Sequence, residues 1–164
     1  MYPLAKEQLD EIYRHAVEEY PFECCGIVIG KVGHCDQDIL FQCTNIQNKL
    51  HEKDPEIFVR DACTAYNIDP KELINILKEV ESKRLPIKVF YHSHPDHDAY
   101  FSEEDSRMAL YDGEPIYPEA SYLVVSVYDK KIRDQALFSW NPETKTTPSL
   151  TPNSSPRIKP SMKP

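Results

Sequence analysis

Apolar residues in the first part of the chain fall at helical spacing. Leu9, Ile12, Tyr13, Ala16, Val17 and Tyr20 share one stripe, which predicts an amphipathic helix over 6–20 that Pro21 brings to an end. The pattern then changes. Gly26 to Gly30 is a short apolar run, the mark of a buried strand, entered through a turn that carries Glu23. A second strand is expected over Ile39 to Ile46 after a turn at Gly33, followed by a mobile polar loop from Asn48 to Glu56. Ile57 to Tyr66 suits a strand or a short helix. Asp69-Pro70-Lys71-Glu72 is a strong helix start, with an acid at the cap and proline at the first helical position. Leu73, Ile76, Leu77 and Val80 supply its apolar stripe, and Pro86 its end.

The second half predicts a central strand at Ile87 to Tyr91 and a helix at Ser102 to Leu110. A turn-rich link containing Gly113, Pro115 and Pro118 follows. Ala120 to Tyr128 and Ile132 to Trp140 then form a hairpin around D-K-K, with Trp140 closing the core. Together these elements predict one mixed α/β domain over residues 1–140. Residues 141–164 hold six of the fourteen prolines with many Ser and Thr, and are expected to form a disordered tail.

Composition narrows the function. The 164 residues suffice for one domain with a sizeable core. No apolar run approaches the length of a membrane span, and the N-terminus has neither signal-peptide nor transit-peptide character. Five cysteines with no C-x-x-C pair point to reduced thiols in a cytoplasm. A net charge of −8 argues against binding nucleic acid through its phosphates. Within the tail, four basic residues against Glu143 reverse that sign locally.

Chemistry concentrates between Tyr91 and Asp105, in Y-H-S-H-P-D-H-D-A-Y-F-S-E-E-D. Strand alternation puts His92 and His94 on one face, and Pro95 should stop the strand close behind them. Ser102, three residues before Asp105, has the spacing of a helix cap, which leaves Asp105 on the first turn and free to face the histidines. Two imidazoles and one carboxylate form a zinc set of the catalytic type, because three protein ligands leave a fourth position for water. The plainer reading is a histidine pair at a strand end beside a capped helix, without metal. His97 is expected to be a solvated loop residue, and His34 with Cys35 a surface turn.

H-S-H-P, six residues, S, two residues, D resembles the signature of the JAMM (MPN-plus, or JAB) metalloprotease family. P-F-E-C-C-G upstream is similar to that family's P-x-E-x-C-G element, with Glu23 at the position of the general base. The resemblance implies an MPN/JAB-like fold, a cytidine-deaminase-like curved mixed sheet flanked by helices. It implies one zinc per chain on His92, His94 and Asp105, Glu23 as proton carrier, and the Ser102 hydroxyl stabilising an oxyanion; Ser93 should point away. As substrate it implies a peptide or isopeptide bond after the C-terminal Gly-Gly of a ubiquitin-like or sulfur-carrier protein. The alternative is a non-catalytic MPN-type interaction module. Kinship with RadC-like proteins, tied to DNA repair, is opposed by P-F-E-C-C-G and the acidic body.

Overall fold

A computed structural model describes residues 3–150 of the protein. Helix α1 spans Lys6–Glu19 and buries Leu9, Ile12 and Ala16, as its stripe predicts, together with His15. Strand β1 (Cys25–Ile29) is buried at every position. It pairs antiparallel with β2 (Ile39–Cys43) on one side and with β3 (Ile87–Pro95) on the other. Gly26 faces Tyr91 across the β1–β3 pair, and the tyrosine ring occupies the space that any side chain at position 26 would need.

Helix α3 (Pro70–Lys83) starts as expected, with the Asp69 carboxylate accepting from the Lys71 backbone N–H. Its stripe is only partly covered: Ile76 is buried, whereas Leu77 is exposed. After β3 come α4 (Glu103–Ala109), a small ribbon of β4 (Leu110–Tyr111) and β5 (Glu114–Pro115), and the hairpin of β6 (Ser121–Tyr128) and β7 (Lys131–Asn141). Asp129 and Lys130, both at positive φ, make the hairpin turn. Strand β8 is Thr146–Leu150.

The main sheet has the order β2-β1-β3-β6-β7-β8. Only β3 and β6 run parallel, so the sheet is mixed, and β3 lies inside it. One face packs on α1 through Leu9, Ile12, Val28, Val89, Tyr91 and Val125. The other face, with Ile27, Phe90, Tyr122 and Val124, is covered by Ile76 of α3 and Ala109 of α4. This is the helix-flanked mixed α/β architecture that the motifs imply. No helix among the described residues is long and apolar enough to cross a membrane.

Four expectations need correction. Most of the run from Asn48 to Glu56 is not a loop: Gln47–Lys53 is a helix, α2, started by the Asn45 side chain, whose Oδ1 accepts the Gln47 N–H at 3.0 Å. Ile57 to Tyr66 is neither strand nor helix, because side chains take its backbone groups. Gln47 donates to the Arg60 carbonyl at 2.6 Å, and Asn48 accepts from the Ala62 N–H at 2.8 Å. Trp140 is half-buried and belongs to neither core cluster; Phe138, its ring tilted against Phe101 at 5.2 Å, fills that role. Finally, the expected tail contributes β8 to the sheet edge beyond a turn in which the Asn141 carbonyl accepts from Lys145. Residues 151–164 lie outside the described residues.

Candidate active site

The two histidines sit at the end of β3, at the centre of the sheet. Both are buried, His92 completely and His94 nearly so, and β6 flanks them through Val124 and Ser126. Alternation places both imidazoles on the face that carries Phe90 and is covered by α4. Ser93 points to the opposite face, where its hydroxyl accepts the Cys24 N–H at 2.8 Å.

Asp105 reaches the histidines because of how α4 begins. The Ser102 Oγ accepts the Asp105 N–H at 3.0 Å, and the Ser102 N–H donates to the Asp105 Oδ2 at 2.9 Å, a reciprocal capping box. Held this way, the carboxylate places Oδ1 3.2 Å from the His92 Nε2 and Oδ2 3.4 Å from the His94 Nε2. The two Nε2 atoms are themselves 3.2 Å apart.

The spacing of the two Nε2 atoms suits a small tetrahedral ion. Donors about 2.0–2.1 Å from zinc stand roughly 3.3–3.4 Å from one another, the edge of such a tetrahedron. Among the described residues, His92, His94 and Asp105 are the group whose donor atoms converge in this way. The tautomer of His94 agrees with it. The His94 Nδ1 lies 2.9 Å from the Asp98 carbonyl, which can only accept, so in the neutral ring the Nε2 lone pair faces the other two donors. The ring of His92 stacks on Tyr66 at 4.7 Å. Burial alone would raise the Asp105 carboxyl, but the charge and Nε2–H hydrogen bond of a protonated His92, then a protonated His94 and the Ser102 backbone N–H, hold it well below the usual carboxylate range.

Glu23 stands at the edge of this cluster. It is only 4% exposed, and its Oε2 has no hydrogen-bond partner among the described residues, an unusual state for a buried carboxyl group. Burial, and after it the Asp105 charge, push its carboxyl well above the ordinary range, while Arg60 pulls the other way. A divalent cation at the cluster would act in the same sense as Arg60. Glu23, His94 and Ser102 line one small cleft with Arg60, Thr64, His97 and Tyr100. All five sequence-predicted site residues thus fall in one place. His97 is exposed on the rim and is not among the three converging donors.

A family model described as prokaryotic homologs of the JAB domain matches residues 5–141. The chain belongs to this family. The JAMM resemblance drawn from the motifs therefore holds. Over 114 residues, 67% of this chain and 73% of the relative, it is 32% identical to a desampylase of Haloferax volcanii. Over 116 residues it is 29% identical to the CysO-cysteine peptidase of Mycobacterium tuberculosis, spanning 70% of this chain and 66% of that one. Solution structures of proteins from Desulfitobacterium hafniense and Salinibacter ruber superpose with TM-scores of 0.59 and 0.58, each at 22% identity. They cover 90% and 98% of this chain, and 88% and 94% of theirs, which establishes a shared fold.

Sequence reasoning missed the residues that hold the JAB-domain cleft together. Asn45 is the most connected: its amide donates to the Glu23 carbonyl at 2.9 Å and the Ala65 carbonyl at 3.2 Å, and its Oδ1 accepts from Gln47 and Asn67. A second tie runs from the Glu23 N–H to the Ala62 carbonyl at 2.7 Å. The irregular stretch 54–68 therefore fixes the segment that bears Glu23. Asn45 carried no motif; the one available signal was an amide where a strand pattern stops. Both cysteines beside Glu23 are inert by environment. Burial pushes Cys24 up to about 12 and raises Cys25 as well, so neither is a thiolate at neutral pH.

Proposed function

We propose that this JAB domain is a zinc-dependent peptidase or isopeptidase. It hydrolyses the bond that follows the C-terminal Gly-Gly of a ubiquitin-like or sulfur-carrier protein. The observation that carries this reading is the joint placement of three converging donors and, beside them, a buried Glu23 carboxyl whose Oε2 has no partner among the described residues. His92, His94 and Asp105 would hold the ion. Zinc there supplies Lewis acidity towards a carbonyl oxygen and makes a water more acidic.

The chain's own groups do the rest. Glu23 takes a proton from the attacking water and returns it to the departing nitrogen, a task suited to a carboxyl held above its ordinary range. The Ser102 hydroxyl accepts from Asp105, which leaves its own proton to donate to the oxyanion. One C–N bond breaks: the water oxygen ends on the new glycine carboxylate, and both water protons are retained between the carboxyl group and the amine. The relatives' names, a desampylase and a CysO-cysteine peptidase, support a carrier-protein substrate. A purely structural module gives no reason to bury Glu23 without a partner.

With five free cysteines and no disulfide, we place the enzyme in the cytoplasm. The test is direct: CysO carrying a single cysteine after its Gly-Gly should be shortened by that one residue in the presence of the zinc-loaded protein. An intact mass after prolonged incubation would reject the reading.

A further inference from the structure

We propose that Arg60 recognises the free α-carboxylate of a leaving group one amino acid long, and so selects a single-residue extension over a lysine isopeptide. The proposal rests on the peptidase reading and sharpens its substrate class. Arg60 lies in the irregular stretch after α2, with its backbone carbonyl anchored by the Gln47 amide at 2.6 Å. Its guanidinium is exposed, touches protein through a long 3.5 Å contact to the Thr64 carbonyl, and forms no ion pair with any described residue.

Position gives this free cation its meaning. Arg60 lines the small cleft with Glu23, His94 and Ser102, where it is the one permanently charged cation among the described residues. It also lines the wider groove that opens beside it between residues 57–60 and α4, a space of about 490 Å³. In that groove the other guanidinium, Arg107, is engaged by Glu104.

Leaving-group chemistry then separates the two substrate types. Proton return requires the scissile nitrogen to lie within hydrogen-bond reach of Glu23. In a one-residue leaving group the carboxylate carbon is two bonds from that nitrogen, so its oxygens fall within about 4 Å of it. They are therefore confined to the wall beside Glu23, in a cleft lined by that acid and by His94 and Ser102, both of which contact a second acid, Asp105. The ion held by His92, His94 and Asp105 is committed to the carbonyl side of the bond, so a side-chain cation on that wall is what makes such a group welcome, and the planar fork of arginine matches a carboxylate. A lysine isopeptide instead presents neutral methylenes next to the nitrogen, and its α-carboxyl is tied up in a peptide bond. Arg60 has nothing to bind there.

The experiment compares CysO extended by one cysteine as the free acid with the same protein ending in the cysteine carboxamide. The zinc-loaded protein should turn over the acid with kcat/KM on the order of ten- to a hundredfold above the amide, the range expected of one charge-assisted contact. Arg60→Gln should bring the ratio close to one, and Arg60→Lys should keep part of it. A ratio means little to a general loss of folding, since both substrates would suffer alike. Equal turnover of acid and amide by the unmodified protein overturns the Arg60 assignment and leaves the peptidase reading standing. Turnover of neither contradicts the peptidase reading, and the Arg60 assignment with it.

Discussion

The Ser93 hydroxyl accepts the backbone N–H of Cys24 at 2.8 Å, and the Ser93 N–H in turn donates to the Cys24 carbonyl at 3.2 Å. A residue between the two histidines is thereby clasped to the residue that follows Glu23. The clasp sets the distance between the candidate metal donors and the candidate proton carrier.

Removing the clasp should affect turnover more than metal. Ser93→Ala leaves a buried N–H without an acceptor, which costs roughly 1–3 kcal/mol. Urea denaturation should show a loss of that size, and kcat should fall while zinc content stays at the unmodified level. A Ser93→Ala protein with full kcat would show that the clasp does not place Glu23.

Ser102 has two separable tasks, and substitution should separate them. Ser102→Ala removes the acceptor for the Asp105 N–H, at about 1 kcal/mol for a lost N-cap. It also removes the hydroxyl proton that Ser102 brings to the cleft, so kcat should drop on the order of a hundredfold. Ser102→Thr keeps a hydroxyl and should restore most of both. If Ala and Thr variants turn over substrate alike, the oxyanion role fails.

His15 should make the fold sensitive to mild acid. Its Nδ1 pairs with the Tyr91 hydroxyl at 2.8 Å, and burial lowers its pKa against the opposing pull of Glu19, Glu18 and Glu11. The unfolded chain therefore binds a proton there more readily than the folded one. Stability from this group is complete above the ordinary histidine pKa of about 6.5 and declines as pH falls below it. Urea midpoints between pH 7.5 and pH 5 should show the decline, with a shallower slope in His15→Gln. An unchanged slope would mean that His15 titrates as it does in the unfolded chain.

Most of the site was legible because its signals are local. His92 and His94 needed only strand alternation, and Ser102 with Asp105 only the three-residue spacing of a cap. Glu23 became readable through its neighbours in P-F-E-C-C-G. Helix α2 was not, since Gln47–Lys53 has no apolar stripe and is started by Asn45, a side chain outside it. The irregular stretch 54–68 was equally closed to inspection: its apolar residues suggested regular structure, whereas its order comes from tertiary bonds to Gln47, Asn48 and Asn45. Trp140 shows the limit of judging burial by size, because the smaller Phe138 takes the core position one turn of alternation earlier.

The central claim is that Glu23 moves the proton while His92, His94 and Asp105 hold the ion, and one variant separates these tasks. Glu23→Gln keeps size and burial but cannot take a proton, so it should retain one zinc per chain by elemental analysis and lose turnover of the Gly-Gly-linked substrate by about 10²–10⁴-fold. A Glu23→Gln protein that is fully loaded and cleaves at the unmodified rate would contradict the account.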